Sequence, residues 1–259
     1  MPVPRCLTIA GSDSGGGAGI QADLKAFAAA GCFGMSAIVA LTAQNTVGVT
    51  AIQEAPPEFV RAELEAVFSD IGVDAAKTGM LFSQPIIETV AEYLAAHPVA
   101  LVVDPVMLAS SGARLLRDDA IEALVTKLFP LATVVTPNLD EAVALAGRAG
   151  SRRELAERIH EIGAPAVIVT GGHGEEAVDH LFDGTEHTEI PVPRHSKRAT
   201  HGAGCTHSAT LAALLAKGLT LRQAAEEAGQ IASDAVANGL DWLGGGEGPV
   251  DVLGLEVGK

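Results

Sequence analysis

The sequence predicts a single α/β domain over residues 1–259, with a mostly parallel central sheet and helices on both faces. Short apolar runs rich in β-branched residues alternate with longer stretches of helical periodicity, the rhythm of parallel strands joined by crossover helices. Hydrophobic residues make up 48% of the chain but aromatic residues only 3%, so the core must be built from Ala, Val, Leu and Ile. The 29 glycines exceed the roughly 7% of average usage, which suits many tight strand–helix turns.

Taken in order, a strand at 6–10 runs into the glycine-rich loop 11–19, and a helix at 20–30 follows. A strand at 35–41 ends near Gln44, and a helix at 57–71 leads to a strand at 73–77. A helix at 84–97, a strand at 100–103 running up to Asp104 and a helix at 118–129 come next. Strands at 133–136 and 166–170 bracket helices at 139–146 and 151–162. The runs 177–182 and 187–193, split by Asp183-Gly184-Thr185, read as a hairpin, and helices at 205–217 and 221–240 complete the order. No linker, repeat or low-complexity tract interrupts it. Ligands of an open parallel sheet bind beyond the carboxyl ends of its strands. Loop 11–19, Met80, Asp104, Asn138 and Gly171-Gly172-His173 all follow strands, so they fall on one rim.

A formal charge of −15 argues against nucleic acid or an anionic membrane as a partner. An acidic ligand must then be held by local features, because the global field repels it. Cys6, Cys32 and Cys205 form no Cys-x-x-Cys and cannot all pair, which suits a reducing cytoplasm. The first apolar run is too short for a signal peptide, and no window reaches the ~18 consecutive apolar residues of a membrane helix.

The most informative stretch is Thr200-His201-Gly202-Ala203-Gly204-Cys205-Thr206, which runs into the apolar segment 208–216. A glycine-rich turn feeding a helix aims several N–H groups at one spot, and the helix dipole favours negative charge there. The same field lowers the pKa of a thiol placed at that helix start. An anion site and a potential base therefore fall within one turn of each other; Cys205 could equally be an ordinary buried small residue, but its place at a glycine-flanked helix start favours function.

Other rim residues carry two readings each. Loop 11–19 lacks the Gly-Lys-Ser/Thr of a P-loop and the last glycine of Gly-x-Gly-x-x-Gly, so it is either a close-approach ligand loop or a flexible connection. Asp23 alone reads as a surface acid complementing the helix dipole. Gln44 could read the donor–acceptor edge of a heterocycle or satisfy a turn. Asp104 is a plausible outer ligand for magnesium, which prefers oxygen and keeps several waters. Asn138 and Glu141 form a capping-box pair that still leaves either one free to touch a hydrated metal.

Together these segments resemble a known family. Residues 7–25, Leu-Thr-Ile-Ala-Gly-Ser-Asp-Ser-Gly-Gly-Gly-Ala-Gly-Ile-Gln-Ala-Asp-Leu-Lys, are similar to the N-terminal signature of hydroxymethylpyrimidine/phosphomethylpyrimidine kinases, ribokinase-like enzymes of thiamine biosynthesis. Ala40-Leu-Thr-Ala-Gln-Asn-Thr-Val-Gly48, Ala76-Lys-Thr-Gly-Met-Leu81, Val103-Asp-Pro-Val-Met107, Thr136-Pro-Asn-Leu-Asp-Glu141, Gly171-Gly-His173 and the 200–206 stretch follow in the right order. The resemblance spans essentially the whole chain.

It implies ATP-dependent phosphorylation of hydroxymethylpyrimidine and then of its monophosphate, with ATP and Mg2+ as cofactors. By resemblance, Gln44 and the Ala18 backbone hydrogen-bond the aminopyrimidine, Asp23 lies near it, and Met80 and Val106 pack on the ring. Gly202, Ala203, Gly204 and Cys205 would form the anion hole, with Cys205 the base that deprotonates the hydroxymethyl group. The nucleotide is expected against Asn138, Thr170, Gly172, Thr200 and Arg198, and Mg2+ at Asp104 and Glu141. A homodimer is compatible with the family. Pyridoxal kinase shares the fold and is the nearest alternative activity; a pyrimidine-binding protein that lost its chemistry is the other.

The chain departs from the family at its cations. Many members carry Lys where Thr170, Gly229 and Ser110 stand here, and Arg198-Ala199 replaces the usual residue before Thr-His-Gly. Arg198 or Lys197 is the expected substitute, on proximity to the anion hole. Segments 15–19 and 110–114 are candidate lids.

Overall fold

The computed structural model describes residues 2–107, 116, 118–171 and 178–255. Strands are β1 (Arg5–Asp13), β2 (Phe33–Gln44), β3 (Val49–Glu54), β4 (Ala75–Thr78), β5 (Ala100–Val103), β6 (Val134–Val135), β7 (Val167–Val169), β8 (Val178–Phe182) and β9 (His187–Pro191). Helices are α1 (Gly19–Ala29), α2 (Pro57–Ala66), α3 (Gln84–Ala96), α4 (Asp118–Ala123), α5 (Leu139–Ala146), α6 (Arg152–Glu161), α7 (Ala203–Ala216) and α8 (Leu221–Ala237).

One sheet runs through the chain in the order β3-β2-β1-β4-β5-β6-β7-β8-β9. Its centre, β2 to β7, is parallel throughout. Antiparallel strands close both edges, β3 on β2 and the β8–β9 hairpin on β7. The α/β class and the hairpin are therefore as the sequence predicts.

Alternation fixes which residue faces which layer. Leu101 and Val103 pack with α2 to α6 on one side, while Val102 between them packs with α1, α7 and α8 on the other. Val167, Ile168 and Val169 divide the same way. Full burial of each such side chain contributes about 1.5–3 kcal/mol, so a one-residue slip of register would expose a whole row of them.

Three expectations need correction. Strand β3 is not among the expected elements; none of its six residues is buried, and Thr50, Ala51 and Gln53 are exposed, so it lacks a buried apolar run. The expected helix 57–71 is α-helical only to Ala66, then loosens into a π turn that ends at Gly72 with φ of 78°. The expected helix 118–129 behaves alike, with a π turn from Leu124 to Leu128. No helix among the described residues is long and apolar enough to cross a membrane.

Candidate active site

A cavity of about 850 Å³ opens at the carboxyl rim of the parallel strands. It draws its wall from the loop after β1, the ends of β2, β4 and β5, the starts of α5 and α7, and one face of α8. Of the residues singled out from the sequence, Ala18, Gln44, Met80, Val106, Asp104, Asn138, Glu141, Thr170, Thr200, Gly202, Ala203, Gly204 and Cys205 all line it. Gly172 and segment 110–114 lie outside the described residues. Asp23 and Arg198 are not on the wall.

Loop 11–19 is not a flexible connection. Asp13 Oδ1 accepts from the Gly15 N–H (2.7 Å), and Oδ2 accepts from those of Gly17 (3.0 Å) and Ala18 (2.9 Å). Lys25 donates to the Gly16 carbonyl at 2.7 Å. The Ser14 hydroxyl donates to the Gln44 carbonyl and accepts from the Gln44 N–H, tying the loop to the end of β2. With its N–H committed to Asp13, Ala18 can offer a ring only its carbonyl oxygen. Met80 reaches the cavity because Gly11 has no side chain; a Cβ there would collide with the Met80 methyl.

Asp23 is fully buried beneath the cavity rather than a surface acid. Its carboxylate accepts from Lys77 Nζ at 2.8 and 3.0 Å and from the Thr8 hydroxyl at 2.6 Å. Lys77 is itself without solvent exposure and lies 3.7 Å from Asp104 Oδ2. Burial works against its charge, but Asp23, Cys205 and Asp104 outweigh it and hold the ammonium above its usual range. Asp104 also accepts from the Ser208 hydroxyl at 2.8 Å.

The expected capping box at the start of α5 is present: Asn138 Oδ1 accepts from the Glu141 N–H (2.9 Å) and Glu141 Oε2 from the Asn138 N–H (3.0 Å). Burial and the neighbouring Asp104 carboxylate push Glu141 up to about 8. Two hard oxygen donors crowded this way fit a divalent cation, which would relieve their repulsion. Among the described residues no cluster of three or more such ligands exists, so a cation here would complete its shell with water and phosphate oxygens.

Helix α7 starts at Ala203, two residues earlier than expected, with Gly202 as N-cap at φ of 84°. A Cβ at Gly202 would overlap the Gly17 carbonyl, so the two glycine segments pack backbone against backbone. The Ala203 N–H is committed to the Thr200 carbonyl at 3.1 Å, which leaves Gly204 and Cys205 as first-turn donors for an anion. The expected lowering of the Cys205 pKa is not found. Burial pushes the thiol up to about 12 and prevails over the Lys77 ammonium and the Gly19 N–H, which favour thiolate. Alkylation proceeds through the thiolate, so iodoacetamide labelling of Cys205 should rise about tenfold per pH unit from pH 7 to 10. A plateau near pH 8 would contradict the burial argument; the other two thiols, Cys6 and Cys32, are buried.

At the far end of the cavity, Thr170 follows β7 and donates its N–H to the Pro137 carbonyl at 2.9 Å. Thr200 donates its hydroxyl to Glu247 Oε2 at 3.3 Å. Arg198 does not take the place of the absent lysines: its guanidinium donates to the carbonyls of Asp241 (2.8 Å) and Gly244 (3.2 Å), away from the cavity wall. Lys197 and Arg194 are the neighbouring cations that do line it. Arg198→Ala should accordingly leave the ATP Michaelis constant and turnover within about twofold of wild type, as for an exposed side chain outside the site. A tenfold rise in that constant would put Arg198 back among the phosphate ligands.

Sequence reasoning assigned no role to Asp13, Lys77 or His201. Lys77 left a signal, a lone charge at the end of an otherwise apolar strand. Asp13 and His201 left none, because each is explained by the other across 188 positions.

A family model described as phosphomethylpyrimidine kinase matches residues 13–251. A hydroxymethylpyrimidine/phosphomethylpyrimidine kinase of Rhizobium meliloti is 51% identical, over 94% of this chain and 95% of that one. The enzyme of the same name from Bacillus subtilis is 44% identical, over 97% and 95%. Among solved structures, an ADP complex of Bacillus subtilis pyridoxal kinase superposes with a TM-score of 0.90 at 37% identity, covering 99% and 100%. A phosphomethylpyrimidine kinase from Clostridium difficile superposes with a TM-score of 0.77 at 41% identity, covering 87% and 96%. The resemblance read from the motifs is thus borne out along the chain, and the protein belongs to the phosphomethylpyrimidine kinase family.

Proposed function

We propose that this kinase transfers the γ-phosphoryl group of ATP to the hydroxyl of hydroxymethylpyrimidine, and then a second one to the resulting monophosphate. The observation that carries this reading is the convergence, in one cavity, of the polar Gln44 and apolar Met80 and Val106 with an anion hole that holds a thiol. Gln44 and the Ala18 carbonyl address the polar edge of the ring, and Met80 and Val106 its faces. In the first step Cys205, as thiolate, takes the hydroxymethyl proton; the oxygen attacks the γ-phosphorus, the bond to the β-phosphate oxygen breaks, and ADP leaves. The thiolate form is scarce at neutral pH, and the Lys77 ammonium and the Gly19 N–H are the groups that favour it. The second step needs no base, because the acceptor phosphate is already a nucleophilic anion.

ATP and Mg2+ belong to the same proposal. Asp104 and Glu141 would hold the cation, which supplies charge neutralisation on the transferring phosphoryl group. The Gly204 and Cys205 N–H groups would stabilise that charge as well. ADP and an ATP analogue occupy the homologous fold in the pyridoxal kinase complexes. The closeness of that fold also supports a second reading, pyridoxal as a further acceptor. Three free thiols support a cytoplasmic location. The exposed Leu41, Ala43 and Ala51 on the paired β2–β3 ribbon support a homodimer, to be checked by light scattering.

The test is incubation with MgATP and each of hydroxymethylpyrimidine, its monophosphate, pyridoxal and ribose, with ADP and phosphorylated product measured. Turnover of both pyrimidines and not of ribose is the expected result. Tight pyrimidine binding without turnover would overturn it.

A further inference from the structure

Asp13 has no place in the chemistry above, yet groups from two distant segments converge on its carboxylate. It is 3% exposed. Three of its donors, the N–H groups of Gly15, Gly17 and Ala18, belong to the loop that addresses the ring. The fourth group is His201 Nε2, 3.0 Å from Oδ2, in the residue just before the anion hole. His201 is 7% exposed, and its backbone is fixed on the opposite side: its N–H donates to the Gly248 carbonyl and its carbonyl accepts from the Val250 N–H, both at 3.1 Å.

Packing closes the same junction. A Cβ at Gly17 would overlap the His201 ring, and one at Gly202 the Gly17 carbonyl. Neither glycine segment can shift without moving the other. Hydrogen bonds to an ionised carboxylate are about twice as strong as neutral ones. Burial opposes the Asp13 charge, but His201 and the Gly15 and Ala18 amides hold the carboxyl below its usual range.

We propose that Asp13 and His201 are positioning residues that clasp the ring-binding loop to the anion hole, so that the acceptor and phosphoryl-donor ends of the cavity are set as one unit. The idea rests on the proposed function, and two consequences follow. Occupancy of one end pre-orders the other, so nucleotide and pyrimidine bind with positive coupling. Loss of the clasp also misplaces the acceptor hydroxyl relative to Cys205 and the γ-phosphorus, and a displacement near 1 Å costs about 10²-fold in rate.

The test compares wild type with Asp13→Asn, whose amide cannot accept from all the groups the carboxylate serves. Hydroxymethylpyrimidine affinity is measured by calorimetry with and without Mg2+ and a non-hydrolysable ATP analogue, alongside kcat and both Michaelis constants. Wild type should bind the pyrimidine at least about fivefold more tightly when the analogue is present. Asp13→Asn should lose that coupling and about 10²-fold in kcat, with nucleotide affinity in the presence of pyrimidine weakened by about the same factor as the lost coupling. If Asp13→Asn does not fold, His201→Gln and His201→Ala carry the test: Gln keeps a donor towards Asp13 and should retain most of the coupling, whereas Ala should lose it. Absence of coupling in wild type overturns the proposal, as does intact coupling with unchanged kcat in Asp13→Asn or His201→Ala. Failure of the functional reading itself would be visible earlier, as absence of pyrimidine turnover by the unmodified enzyme.

Discussion

Cys205→Ala is expected to depress phosphorylation of hydroxymethylpyrimidine by about 10²–10⁴-fold, the range for loss of a positioned general base. Phosphorylation of the monophosphate should stay within about tenfold of wild type, because the Gly204 and Cys205 amides remain in place. The asymmetry follows from the acceptors: an alcohol must give up a proton, and a phosphate oxygen need not. Initial rates with each acceptor at saturating MgATP measure it. Equal losses in the two steps would mean that the side chain matters only for the shape of the α7 start. The high pKa of the thiol makes this a demanding case, since about 12 places nearly all of Cys205 in its neutral form at pH 7.

Lys77→Met should lower stability by about 3–5 kcal/mol, the usual cost of removing one partner of a buried ion pair. Asp23 would then be an unpaired carboxylate without solvent exposure, left with only the Thr8 hydroxyl among the partners described here. For a chain of this size the corresponding fall in Tm is on the order of 6–20 °C. Thermal unfolding measures it, and the double variant Lys77→Met/Asp23→Asn should recover part of the loss by removing the stranded charge. A double variant less stable than Lys77→Met would show that the pair is not the source of the effect.

The sheet and its rim were legible because both leave local traces. Apolar β-branched runs mark buried parallel strands, and glycines mark the turns between strand and helix. Strand β3 left no such trace, since it lies on an edge and its side chains mostly face solvent. The anion hole was legible from Gly202 to Cys205, yet the field argument alone gave the wrong direction for the thiol. Helix dipole and burial oppose each other there, and only the three-dimensional surroundings show that burial prevails.

The same division holds for charge. Asp104 and Glu141 could be picked out because they stand at strand and helix ends. Asp23 could not be placed, because its partner Lys77 lies 54 positions away. Arg198 is close to the anion hole in sequence, but its side chain turns to the carbonyls of Asp241 and Gly244 instead. Proximity along a chain says little about where a long side chain ends.

On the proposed reading, one cavity carries two successive phosphorylations of the same pyrimidine. The most direct test is the stoichiometry of ADP released per pyrimidine consumed, followed with product analysis in a reaction containing the protein, excess MgATP and hydroxymethylpyrimidine. Transient monophosphate, final diphosphate and two ADP for each pyrimidine are expected. A reaction that stops at monophosphate with one ADP, even when fresh monophosphate is supplied at saturating MgATP, would contradict it.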